Sequence, residues 1–198
     1  MRRLFLVVAF VLGLAAPAWA DFEGGKEALE SGDYATALKE WRPLAEQGDA
    51  DAQYNLGLMY HRGKGVPQDY AKAVKWYRTA AEQGHAFAQF SLGGTYHTGK
   101  GVSKDVAEAM KWYRKAADQG LEQGQIVLGM MYSYGSGVPK DHVRAHMWFH
   151  ILASRLPGAE RRGYAKARDD LAARMTPEQV AEAERLAREW VEQYEKAE

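Results

Sequence analysis

Ala52-Gln53-Tyr54-Asn55-Leu56-Gly57-Leu58-Met59-Tyr60, with Gly63-Lys64-Gly65-Val66 after it and Lys75-Trp76-Tyr77 further on, is the stretch that decides the fold, because the chain writes it three times. Gln47-Gly48, Gln83-Gly84 and Gln119-Gly120 stand 36 residues apart, and Gly63-Lys64-Gly65-Val66 recurs as Gly99-Lys100-Gly101-Val102 and Gly135-Ser136-Gly137-Val138. Leu56-Gly57 returns as Leu92-Gly93 and Leu128-Gly129, Tyr60 as Tyr96 and Tyr132, and Lys75-Trp76-Tyr77 as Lys111-Trp112-Tyr113 and Met147-Trp148-Phe149. A fixed period of this size marks a solenoid, in which no unit buries its apolar face alone and stacked neighbours share one core.

Each unit reads helix A, loop, helix B, glycine. In the first, helix A runs to Arg62, where Gly63 stops it by taking the left-handed conformation. Asp69, Asp105 and Asp141 stand where a carboxylate would cap helix B, which runs from about Tyr70 to Gln83. Gly57, Gly93 and Gly129 fall inside helix A, where glycine costs about 1 kcal/mol relative to alanine. Their expected role is to let helix B of the same unit cross closely, with Ala80-Ala81 and Ala116-Ala117 as the small partners and the aromatics packed to either side. Upstream, Phe22 to Glu30 forms a short helix ending at Ser31-Gly32-Asp33, and Tyr34 to Gln47 carries an apolar face at helical spacing. Its Trp41 falls where Tyr77 falls later, and Pro43 within it predicts a kink or a shifted start. After Ser154 the register is lost. A helix follows over residues 159–175, and Thr176-Pro177 then opens a last one that bears Val180, Ala183, Leu186, Ala187, Trp190, Val191 and Tyr194 along one side.

The expected organisation is therefore a signal peptide over residues 1–20, a degenerate N-terminal repeat over 21–48, repeats over 49–84, 85–120 and 121–155, and capping helices over 156–198. Arg2 and Arg3, the apolar run from Leu4 to Ala16, and Ala18-Trp19-Ala20 make the signal, with cleavage expected after Ala20 and a periplasmic or secreted destination. No cysteine follows to carry a lipid, and the apolar run is too short to span a bilayer, which takes about 20 residues. Beyond residue 20 there are 24 Lys and Arg against 26 Asp and Glu, a net charge of −2. That balance argues against nucleic acid or an anionic membrane as the main partner. With no cysteine at all, the fold is held by packing alone.

These repeated residues resemble the SEL-one-like repeat family, a branch of the tetratricopeptide-like helical repeats. The carrying pieces are Ala52 to Tyr60, Gly63-Lys64-Gly65-Val66-Pro67-Gln68-Asp69, and Ala73-Val74-Lys75-Trp76-Tyr77 through Gln83-Gly84. The unit is two residues longer than the 34 of a tetratricopeptide repeat. The resemblance implies an all-α, right-handed superhelical solenoid of helix–turn–helix repeats that binds a protein or peptide. It also implies that the concave wall is lined by helix A positions not spent on the core. Here those are Asp51, Tyr54, Leu58, His61 and Arg62, then Phe87, Phe90, Gly94, His97 and Thr98, then Gln123, Ile126, Met130, Ser133 and Tyr134. They differ between units while Leu56, Gly57, Tyr60 and their equivalents do not. For Tyr54, Phe90 and Ile126, packing between neighbouring A helices is the competing reading.

Two other classes compete with this one, a cell-envelope hydrolase and a structural metal-binding protein. Neither Ser-x-x-Lys nor Gly-x-Ser-x-Gly occurs, and the carboxylates sit in caps or on polar helix faces, so no catalytic residue and no cofactor are assigned. His142, His146 and His150 share a helix face at i, i+4 and i+8, a spacing able to hold zinc. Val143 stands where a catalytic zinc site needs its Glu, and His146 takes the place of Val74 and Met110. Packing or capping is the expected use of these histidines.

Overall fold

The computed structural model describes residues 21–196, so the expected signal peptide lies outside the described residues. Among the described residues there are ten helices and no strand: α1 (Phe22–Ser31), α2 (Tyr34–Glu46), α3 (Ala50–Arg62), α4 (Tyr70–Glu82), α5 (Ala86–Thr98), α6 (Val106–Asp118), α7 (Glu122–Tyr134), α8 (His142–Arg155), α9 (Gly158–Ala172) and α10 (Pro177–Glu195). From α1 to α9 each helix packs on its chain neighbours, and α10 returns past α9 to lie on α8. The result is an all-α superhelical solenoid of helix–turn–helix repeats.

Turn chemistry sets the helix ends. Asp69, Asp105 and Asp141 each accept a hydrogen bond from the backbone N–H three residues on, at 2.9 Å. Asp49 does the same for Ala52 at 2.7 Å at the head of α3. The equivalent caps then drift: His85 Nδ1 accepts from Ala88 N–H at 3.0 Å, and Leu121 supplies no side-chain cap. At the other end, Thr176 and Gln179 form a reciprocal capping box on α10. α2 runs through Pro43 as one element.

Gly57, Gly93 and Gly129 are all buried, but their expected partners require a correction. A Cβ on Gly57 would lie 2.5 Å from the Tyr77 ring, one on Gly93 2.8 Å from the Tyr113 ring, and one on Gly129 2.9 Å from the Phe149 ring. The glycine thus makes room for an aromatic side chain of helix B, not for a small alanine. Trp41 lies over Gly25 in the same way, linking α2 to α1. The alanines serve the joint between units instead. Gln53 donates to the carbonyl of Ala45 at 3.0 Å, Gln89 to that of Ala81 at 3.1 Å and Gln125 to that of Ala117 at 3.3 Å. Gln83 and Gln119 then donate to the Oε1 of Gln53 and Gln89, each at 2.7 Å.

These three glutamines are buried, and every repeat joint passes through one of them. Gln53 belongs to the repeated motif, and its recurrence as Gln89 and Gln125 is the signal of this role in the sequence. Replacing Gln89 with leucine keeps the volume but leaves the Ala81 carbonyl and the Gln119 amide unpaired. The expected loss is about 1–3 kcal/mol, read from urea unfolding, because a buried polar group without a partner carries its full desolvation cost. An unchanged midpoint would show that the ladder is incidental.

Candidate functional site

Residues on the A helices expected to face a partner divide sharply by burial. Phe87, Met130 and Tyr134 are 48%, 47% and 68% exposed, and they are the large hydrophobic side chains left open among the described residues. Asp51, Arg62, Thr98 and Gln123 are also exposed, whereas Tyr54, Leu58, His61, Phe90, His97 and Ile126 are half-buried. Tyr54 stacks on His85 at 4.7 Å between ring centroids and stands 6.0 Å from Tyr77 and 6.1 Å from Phe87. Phe90 lies 5.5 Å from Tyr113, and Ile126 packs on the C-terminal core cluster. These three therefore take part in holding the units together as well as flanking the open residues.

Asp51 has a partner within the chain: its Oδ1 lies 3.0 Å from His85 Nε2. Because His85 Nδ1 accepts from Ala88 N–H, Nε2 carries the proton and donates to Asp51. This contact bridges α3 to the start of α5, across a repeat joint. His61 meets Tyr70 edge-on at 5.2 Å, and its pKa is held below the ordinary value by burial first, then by Lys100 and Arg62.

Two neighbouring depressions open on this side. One, of about 160 Å³, lies between α1, the start of α2 and α3, walled by Leu29, Tyr34, Asn55, Leu58, Met59, Arg62 and Lys64. The other, of about 250 Å³, lies between α3 and α5; Leu58, His61, Arg62, Tyr77, Gly94, Thr98 and Lys100 are among its lining residues. Leu58 and Arg62 belong to both and form the ridge between them. Of the expected contact residues, the structure thus gathers Leu58, His61, Arg62, Gly94 and Thr98 around one hollow. Phe87, Gln123, Met130 and Tyr134 line neither.

The remaining histidines sit elsewhere. His146 and His150 lie with ring centroids 6.2 Å apart on α8, and both Nδ1 atoms are buried without a hydrogen-bond partner. Burial pushes both pKa values down; Arg168 adds to the effect, while Glu184 opposes it. Among the described residues no group of three or more His, Cys, Asp or Glu is placed to share a metal ion. No helix of the described residues is long and apolar enough to cross a membrane.

Comparison with known proteins places the repeat. The family model for the Sel1 repeat matches residues 50–85, 86–121 and 123–155. Among solved structures, a Sel1 repeat protein from Oxalobacter formigenes is 36% identical, with a TM-score of 0.63, covering 66% of this chain and 54% of that one. The protein c5321, a protective antigen present in uropathogenic Escherichia coli strains and displaying an SLR fold, is 32% identical. Its TM-score is 0.57, over 87% of this chain and 45% of that one. The chain spans about half the length of both. No curated protein matches it.

Proposed function

This chain belongs to the Sel1 repeat family, whose repeats commonly serve as scaffolds for protein interaction, and on that premise we propose that it is an exported adaptor. It binds a protein or peptide along the concave wall formed by its A helices and carries out no chemistry of its own. The observation behind this reading is the placing of the open apolar residues. Phe87 lies on α5 and Met130 and Tyr134 on α7, while every B helix keeps its large hydrophobic side chains at least partly covered. Uncovered hydrophobic side chains gathered on one set of elements are what a partner would cover. The signal-like start of the chain supports a periplasmic or secreted setting.

The test is affinity capture from the envelope fraction of the source cells, with the triple variant Phe87→Glu, Met130→Glu, Tyr134→Glu beside the natural protein. Because these side chains are exposed, the variant should keep its helix content and melting temperature. A partner recovered in fixed ratio with the natural protein should fall at least tenfold with the variant, since hot-spot residues each contribute about 2 kcal/mol or more. Equal capture by both would move the contact off the A helices.

A further inference from the structure

We propose that the hollow astride Leu58 and Arg62 receives an acidic peptide segment, with a carboxylate on Arg62 and an apolar side chain in the depression on either side. This rests on the reading of the A helices as the binding wall and names the chemistry of what binds there. Three observations carry it. The two depressions share Leu58 and Arg62, so a single extended segment crossing the ridge would meet both. Their walls bring together the cations Arg62, Lys64 and Lys100, and neither includes an Asp or Glu. And Arg62 makes no hydrogen bond or ion pair among the described residues, although other cations of the hollow are occupied. Lys64 donates to the Tyr34 hydroxyl at 3.0 Å and sits over that ring at 4.9 Å, and Lys100 lies 5.3 Å over the Tyr70 ring.

The chemistry follows from that arrangement. A guanidinium offers a planar fork that pairs two-fold with a carboxylate, and such charge-assisted bonds are the stronger ones. The cations here stand without a neutralising acid in the lining, so an incoming carboxylate relieves their mutual repulsion as it binds. Leu29, Leu58 and Met59 give the first depression an apolar floor, and Leu58 with Tyr77 gives one to the second. In an extended peptide, alternate side chains point the same way. The fitting pattern is therefore an Asp or Glu with an apolar residue two positions before it and another two positions after it.

The experiment is selection of a phage-displayed random peptide library on the purified protein, followed by synthesis of the enriched sequences. Acidic residues flanked by apolar ones should dominate, and the synthetic peptides should bind about tenfold more weakly to Arg62→Gln. Binding should also weaken as salt rises from about 0.1 to about 1 M, over which the screening length falls from about 10 to about 3 Å. Arg62 is exposed and unpaired, so Arg62→Gln should melt as the natural protein does, and that melt separates lost binding from lost fold. Enriched peptides without acidic preference, or with equal affinity for Arg62→Gln, overturn the proposal. If those same peptides lose binding to the Phe87, Met130, Tyr134 variant, the A-helix wall survives and only the acidic preference falls. Peptides indifferent to both variants, or no enrichment at all, overturn both readings.

Discussion

Gly101→Ala should lower the melting temperature by on the order of 10 °C, the largest effect expected of a glycine-to-alanine change among the described residues. Gly101 has φ +76°, and a Cβ there would lie 2.3 Å from the carbonyl oxygen of Tyr70 and 2.9 Å from the Ala71 nitrogen. The left-handed conformation costs an L-residue about 1–2 kcal/mol. Forcing a methyl into occupied space adds about 1–3 kcal/mol. A domain of this size loses about 2–4 °C per kcal/mol. The contact is also a joint: the loop of one repeat rests on the first turn of helix B in the repeat before it. Gly65 meets Tyr34 and Gly137 meets Val106 at the same place. Since a solenoid's stability depends on interfaces between neighbours, a damaged joint should also broaden the transition. Gly84→Ala provides the control, with φ +96° and no atom within 4 Å of its added Cβ. It should bear the conformational part alone. Equal losses from the two changes would show that the loop contact adds nothing.

Tyr77→Ala should cost about 3–5 kcal/mol in urea unfolding, the range for deleting a buried aromatic ring. Tyr77 is 2% exposed, fills the space left by Gly57, and has its ring centroid 6.0 Å from that of Tyr54 and 6.3 Å from that of His61. Burial raises the pKa of its hydroxyl, as expected for a ring packed inside the fold. Gly57→Ala should cost about 1–3 kcal/mol by overpacking against that same ring. The double variant tests the pairing directly. With the ring gone, the new methyl has room, so the combined loss should fall short of the sum of the two. Strict additivity would mean that Gly57 is kept for some reason other than Tyr77. The same cycle can be run on Gly93 with Tyr113, whose pKa burial pushes up to about 12.

The sequence was legible wherever the physics is local and repeated. Helix stops at Gly63, Gly99 and Gly135, caps at Asp69, Asp105 and Asp141, and the box at Thr176 follow from backbone geometry that nearby residues set by themselves. Three copies of each signal removed the ambiguity that a single copy would carry. The helix A and helix B assignments followed from those stops and from apolar spacing, and with them the solenoid. Residues of the candidate wall were named through the family resemblance, which puts helix A on the concave side; within that helix the core positions repeat and the others vary.

Contacts across a joint were decided only by the tertiary structure. Periodicity shows that Gly57 and Tyr77 recur together but not that the ring enters the space above the glycine; alanines looked equally suited. Gln53, Gln89 and Gln125 read as ordinary polar helix residues until the preceding helix brought a carbonyl within reach of each. Asp51 stood in the sequence only as one of the wall positions; His85, from the next repeat, is brought to it by the stacking of the units. The hollow shared by Leu58 and Arg62 needs α1 and the start of α2 on one side and α5 on the other, and no pattern along α3 could announce it. One chain's residues state what each helix is made of, but which side chains stay open depends on the neighbours that stack against it.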